Sequence, residues 1–523
     1  MKFLSLILAC IMVLCVFVGC NDTPKTTTPS KTKQPTTPHE PEDQTPEIEY
    51  VDMYFDDRKS ISMIFGGVVN EFEIVSQEIT STVVGTDEAD EALVIYDEDT
   101  YVLTAVGTGT AVVKINGEEK HLRVLPAPIT LAVITGHSIG AGSKGNTKDS
   151  VLCEAGQVYN TTLSIQNNAN WSTAMKGSTL GFKEKDRVVN IDGITTAAST
   201  SSKGARGVNS GLAFKWNELT GEKMWVVNCA VGGSCINQWQ PGAKDKFHEY
   251  SLGAINLASE ILKGEVEAGH YEYRTTVIIN FSSANFSYQG VTYDDAKLEE
   301  WHDNMWQGYI DGVTVDIDGD GKADAPSNIG YVPIWTPTML EYNRDYPLIY
   351  YRAASVEYSH VFLASDFARI WRTDEGISST FPKIRYKTQN NKVLDRPTKI
   401  SQVFDSDGTH LLQVAYNAVG MQIAENLFAH LRGDEKIKDV TLYEIAENTK
   451  GTEIGKSMTM ENGKQYKFIL ITEPNGVSNY TIELSSNLKL DGFFYVTATA
   501  KGEGTITIKQ GDTVVKTVKV TVK

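Results

Sequence analysis

Two short stretches of this 523-residue chain hold the residue types that acyl-transfer chemistry needs. Gly136-His137-Ser138-Ile139-Gly140 has the G-x-S-x-G spacing, in which a sharp turn after a strand exposes a serine hydroxyl. Asp407-Gly408-Thr409-His410 puts a carboxylate and an imidazole within reach of each other, so that the acid can hold one ring tautomer while the second ring nitrogen faces a hydroxyl. The histidine follows the serine by 272 positions, near the opposite end of the same stretch of chain, as a Ser138, His410, Asp407 triad would need. On its own, D-x-x-H also reads as a polar turn that caps the helix after it.

A second chemical signal is Asp316-Ile317-Asp318-Gly319-Asp320-Gly321-Lys322-Ala323-Asp324. Asp316, Asp318, Asp320 and Asp324 can turn carboxylate oxygens toward one hard cation, and Gly321 occupies the sixth position, where a calcium loop bends sharply. The twelfth position is Ser327 and not the Glu of an EF-hand, and the spacing resembles the loops of dockerins and thrombospondin-type repeats. A solvated Asp/Gly turn is the plain alternative. The expected role is a structural Ca²⁺ that orders an insertion near the cleft, since serine chemistry needs no cofactor.

The elements that must position these residues alternate between strand and helix from Ala127 to Arg432. Ile129 to Thr135, Trp225 to Cys229 and Thr276 to Phe281 read as buried strands; Ser210 to Leu219, Tyr250 to Lys263 and Leu411 to Leu431 read as helices. Such alternation predicts a parallel sheet covered on both faces, with chemistry at the carboxyl ends of its strands. Ser138 ends the first strand of that domain, earlier than an α/β-hydrolase places its elbow.

Two further blocks sharpen the reading. Gly204 to Phe214 is followed by Val226 to Gly242, which contains Gly232-Gly233-Ser234-Cys235-Ile236-Asn237-Gln238-Trp239. These blocks resemble the carbohydrate esterase branch of the SGNH or GDSL-type hydrolases, which includes sialate O-acetylesterases and acetylxylan esterases of family 6. The resemblance spans Thr130 to Leu427 in separated pieces and implies a three-layer α/β/α fold, a backbone oxyanion donor at Gly233, and an acylated carbohydrate as substrate. The chain departs from the family where His137 and Ile139 replace the usual Gln and Asn. It departs again where Asn280-Phe281-Ser282-Ser283-Ala284-Asn285 stands for the third block, so Asn285 either supplies the side-chain oxyanion donor or matches only the last position. His137 either lines the substrate pocket or packs at the strand end. Trp239 either stacks on a sugar or belongs to the core, and Ser234 reads as a turn residue.

The ends of the chain are different in kind. Lys2, the apolar run Phe3 to Val18 and then Gly19-Cys20 read as a signal peptide. Its last residues resemble a bacterial lipobox with Phe17 in place of Leu, which implies a lipidated Cys20 holding the protein to the membrane outside the cell. Six of the sixteen prolines fall within 21–48, a linker that cannot bury a core. Residues 49–126 and 433–523 read as β-sandwiches, and Gly107 to Lys114 aligns with Gly502 to Lys509. Both resemble group 2 bacterial immunoglobulin-like domains.

The expected organisation is therefore a signal over 1–20, a linker over 21–48, a sandwich over 49–126, the SGNH-type α/β domain over 127–432 and a second sandwich over 433–523. A net charge of −18 argues against a nucleic-acid partner, because such binding is driven by basic side chains. The implied activity is removal of O-acetyl groups from a glycan by Ser138, His410 and Asp407. The rival readings are a non-catalytic glycan-binding adhesin and a thioesterase or lipase of the same group.

Overall fold

Ala127–Gly136 is a strand in which all ten residues are buried. An apolar run of this kind, ITLAVI flanked by small residues, cannot sit at a solvated edge, and it forms the centre of a six-stranded sheet in a computed structural model of the chain. The structure describes residues 48–523 except 83–91, 147, 154–157, 163–206, 282–286, 289–290, 293, 334–345, 367–385, 389, 395–396, 398, 434, 446–451 and 475–476. Residues 1–47, including Cys20 and the linker, lie outside it, and among the described residues no helix is long and apolar enough to cross a membrane.

The elements of the central sheet run, in chain order, β1 (Ala127–Gly136), β2 (Val158–Thr162), α1 (Asn209–Thr220), β3 (Lys223–Asn228), α2 (Phe247–Glu267), β4 (Tyr271–Phe281), α3 (Asp295–Gly312), β5 (Asn328–Tyr331), α4 (Tyr346–Ala354), β6 (Val361–Leu363) and α5 (Gln413–Arg432). The strand order is β6-β5-β4-β1-β3-β2, and every pairing is parallel. Chain progression reverses at β1, so the crevice beyond the carboxyl ends of β1, β3 and β4 is where such a sheet accepts a ligand. Strand alternation divides the core in two. Ile129, Leu131 and Val133 pack with Ala254 and Ile255 of α2 and Leu298 and Met305 of α3. Ala132 and Ile134 pack on the other face with Leu212 of α1 and Val419 and Ile423 of α5.

All six elements read from the sequence form, with displaced ends. α2 is longer than expected, and β4 begins at Tyr271 because Tyr271-Glu272-Tyr273 continue the pairing with Ala127-Pro128-Ile129 across a bulge. α3, not read from the sequence, starts where the Asp294 side chain accepts from the N–H of Lys297 at 2.9 Å.

Each flank is a pair of β-sheets around its own core, Met53, Leu103, Val113 and Leu122 in the first and Val440, Phe468, Val496 and Val520 in the second. The aligned stretches occupy equivalent places. Gly107–Ile115 and Gly502–Gln510 each form a hairpin with the strand that follows, Glu118–Leu125 or Thr513–Val522, and each of those last strands also pairs in parallel with an earlier one, Tyr50–Tyr54 or Ser457–Met460.

Neither sandwich hangs on a free linker: Glu49–Lys523 is one continuous packed unit. Glu118–Leu125 runs into β1 with Pro126 alone between them. Phe55 of the first sandwich is fully buried in the central core, its ring stacked 4.4 Å from that of His270. Beside it, Asp57 meets Lys223 of β3 at 3.1 Å and Lys59 at 2.7 Å. Burial pushes the Asp57 carboxyl up, but the two ammonium groups outweigh it and hold it below the ordinary carboxylate range. From the other flank, Ile469, Phe493 and Tyr495 join the same core.

Because Lys223 is nearly enclosed, removing its charge leaves Asp57 with Lys59 as its one cationic partner and the N–H of Tyr54. Lys223→Met should destabilise the protein by about 3 kcal/mol, read as a lower urea midpoint, and adding Asp57→Ala should cost less than the sum of the single changes.

Candidate active site

Gly136 ends β1 with a φ of 100°, a conformation glycine adopts at no steric cost. A Cβ built there would lie 2.2 Å from the carbonyl oxygen of Phe281, the last residue of β4. The close approach turns the chain sharply, and the carbonyl of Phe281 accepts from the N–H of His137 at 3.3 Å. Ser138 then stands just past the strand end, half-buried between the buried His137 and Ile139.

Asp407 and His410 lie at the tip of a hairpin closed by the Phe404–Leu411 bridge and by the N–H of Asp405 donating to the carbonyl of His410 at 2.8 Å. The hairpin leads into α5. That helix crosses α1 at Gly211 and Gly420, where an added Cβ would fall 2.3 Å from the carbonyl of Asn417 or Val208. This crossing holds the helix against the sheet face that carries Ala132 and Ile134.

The three side chains meet. His410 Nε2 is 2.9 Å from Ser138 Oγ, and His410 Nδ1 is 2.7 Å from Asp407 Oδ2. Asp407 Oδ1 accepts from the backbone N–H of Thr409 at 2.8 Å and of His410 at 2.9 Å. Partial burial pushes the Asp407 carboxyl up, but the hydrogen bonds from the His410 side chain and from these two N–H groups prevail and bring it down to about 2. The turn does not cap the helix: α5 starts at Gln413 after Leu412, and Asp407 bonds within its own turn.

The turn after β3 lies beside the serine. A Cβ on Gly232 would come within 3.8 Å of Ser138 Cβ, while Gly233 has a φ of 76° and open space around it. Among the described residues, the N–H groups of Ser138, Gly232 and Gly233 donate to no protein acceptor. Sequence offset picks out Gly233; that Gly232 lies next to Ser138 appears only in three dimensions.

For two residues the reading as substrate contacts gives way to the packed alternative. Trp239 is 1% exposed, packs 5.6 Å from the ring of Phe247, and donates from Nε1 to Ser234 Oγ at 3.0 Å. Its indole is core and offers no face to a sugar. His137 is also buried, and its Nδ1 accepts from the N–H of Ile139 at 3.3 Å, so it packs inside the turn and does not line a pocket. Ser234 is the turn residue expected, donating from Oγ to the carbonyl of Gly136 at 3.1 Å. Asn285 and the stretch 204–206 fall outside the described residues.

Carboxylate oxygens of Asp316, Asp318 and Asp324 lie within 4.8 Å of one another. Asp320 is not among them; its oxygens face the N–H of Lys322 at 2.8 Å and the ammonium of Lys322 at 3.5 Å. Burial first, and then the charges of Asp318 and Asp316, push the Asp324 carboxyl up. The loop leads into β5 where Ser327 donates to the carbonyl of Thr276, toward the amino ends of the strands. It therefore sits away from the crevice that holds Ser138, and the expected position of this loop near the cleft is corrected.

No protein-family model matches the chain, and no curated protein matches it. Among solved structures, a protein from Arabidopsis thaliana is 14% identical, covering 58% of this chain and 98% of its own, at a TM-score of 0.27. A carbohydrate acetylesterase from Xanthomonas citri is 13% identical, covering 80% and 86%, at 0.30. An endo-β-1,4-mannanase from Thermotoga petrophila is 10% identical, covering 74% and 100%, at 0.21. All three are distant likenesses.

Gly136→Ala tests the turn. The added methyl meets backbone and the required φ is strained, so a loss of about 3 kcal/mol or more is expected, together with loss of whatever reactivity Ser138 shows toward a fluorophosphonate probe.

Proposed function

We propose that this protein is a serine esterase that removes O-acetyl groups from a carbohydrate, with Ser138 as nucleophile, His410 as general base and then general acid, and Asp407 as the group that orients His410. The observation that carries the reading is the pair of contacts at 2.9 and 2.7 Å that joins these three side chains. In the proposed reaction, Ser138 Oγ attacks the acetyl carbonyl as His410 Nε2 takes its proton. The oxyanion that forms is met by the N–H groups of Ser138 and of the Gly232-Gly233 turn. His410 returns the proton to the departing sugar oxygen, and a water activated by the same imidazole then releases acetate from Ser138. Ionised Asp407 stabilises the imidazolium in both steps.

The choice of carbohydrate and acetyl rests on the sequence blocks around Gly233 and Trp239, whose pattern resembles that of carbohydrate esterases. The lipobox pattern supports attachment to the outside of a bacterial membrane through Cys20. The three converging carboxylates of Asp316, Asp318 and Asp324 support a structural calcium ion, which would offset their mutual repulsion and would act on stability only.

The catalytic reading is tested with acetylated sugars and an activated acetyl ester. Ser138→Ala should abolish acetate release, His410→Ala should be comparably severe, and the double variant should be little worse than either, because triad members act as a unit. Asn285→Ala should reduce kcat by ~10²-fold or more if that side chain donates to the oxyanion. Wild-type protein that binds glycan without Ser138-dependent hydrolysis would establish the adhesin instead. For the metal, chelation should lower the thermal midpoint and Ca²⁺ should restore it more fully than Mg²⁺, since a ligand of the folded state stabilises by mass action; a midpoint indifferent to both would leave the loop an empty turn.

A further inference from the structure

Three separate segments must be held in register for Ser138 to meet His410: the loop after Ser138, the chain entering α1 and the chain entering α5. Gln413, the first residue of α5 and three positions beyond His410, touches all three. Its Nε2 donates to the carbonyl of Gly207 at 2.9 Å and to Asn417 Oδ1 at 2.8 Å. Its Oε1 accepts from the N–H of Asn146 at 3.1 Å and of Gly207 at 3.2 Å. A side-chain amide has two donor hydrogens and two acceptor lone pairs, so the hydrogen-bonding capacity of Gln413 is filled. The side chain is 1% exposed, and Gly145 lies so close that an added Cβ would sit 2.6 Å from Oε1.

The same helical turn reaches the loop twice more. Tyr416 donates from its hydroxyl to the carbonyl of Ser143 at 2.8 Å, and Asn417 donates from Nδ2 to the carbonyl of Asp149 at 2.8 Å. Apolar packing between α1 and α5 is non-directional and would tolerate small sliding, whereas these bonds fix both distance and angle.

We propose that Gln413 is a positioning residue that sets the separation of Ser138 Oγ and His410 Nε2 by tying the nucleophile loop to the helix that follows His410. The proposal rests on the triad reading above. Misplacement of reacting groups by about 1 Å can reduce a rate ~10²-fold, and Gln413 touches no reacting atom, so its loss should act on the chemical step.

The test uses Gln413→Met, which keeps volume and removes all four bonds, in the full-length protein with an activated acetyl ester. The expected result is a kcat reduced by ~10- to 100-fold with KM changed by less than about twofold. Asn426→Ala is the control: Asn426 lies farther along α5 and donates to the carbonyls of Leu363 and Ala364 at 3.2 and 2.9 Å. It should lower the thermal midpoint and leave kcat within about twofold below that midpoint. If Gln413→Met does not fold, Tyr416→Phe decides by the same criterion, with a smaller expected loss in kcat and the ring left in place. An unchanged kcat in a serine-dependent enzyme overturns the positioning role and leaves the esterase reading intact. Equal losses of kcat in Gln413→Met and Asn426→Ala reduce Gln413 to a stability residue and also overturn it. Absence of Ser138-dependent hydrolysis in the wild type overturns the esterase reading, and the positioning role with it.

Discussion

A parallel strand whose two edges are paired and whose two faces are covered has no room for a polar, reactive side chain, and Ala127–Gly136 is such a strand. The reactive residue must come after the strand, where backbone pairing stops. Gly136 makes that stop abrupt, because its missing Cβ lets β1 approach the carbonyl of Phe281 and turn at once. Ser138 is thereby presented at the switch point of the sheet, where β3 and β4 leave β1 on opposite sides.

The segments that surround Ser138 are then tied to one another by buried polar side chains as well as by the sheet. Asn228 at the end of β3 donates to the carbonyl of Gly140 at 2.9 Å and to Asn209 Oδ1 at 3.0 Å, while its own oxygen accepts from the N–H of Ala230 at 3.1 Å. One side chain thus joins the serine turn, the start of α1 and the glycine turn. Gln413 does the equivalent on the histidine side. Buried amides cost free energy unless they are paired, so once satisfied they admit few alternative arrangements.

The flanking sandwiches change meaning in the same light. Modules that act as spacers need little contact with what they carry, yet Phe55 and Tyr495 contribute to the core beneath the central sheet. Helices α2, α3 and α4 cover that face together with side chains from both flanks, so the central α/β domain borrows part of its hydrophobic layer from its neighbours. The acidic loop belongs to this structural side as well, near the amino ends of the strands.

Much was legible in the residues themselves. The alternation of apolar strands and helices, the G-x-S-x-G turn, the D-x-x-H turn and the repeated Gly-x-Gly-Thr hairpins depend on local spacing, and local spacing is what a sequence displays. The short strands β2, β5 and β6 were less so, because a run of so few residues becomes a strand only when a neighbour pairs with it. The fates of Trp239 and His137 could not be read, since an indole or an imidazole suits a pocket and a core equally and burial alone separates the two. The same holds for Gln413 and Asn228. An amide in a sequence names no partner, and the carbonyls and N–H groups these two bind come from segments up to 267 residues away, brought together only when α5 crosses α1 over the finished sheet.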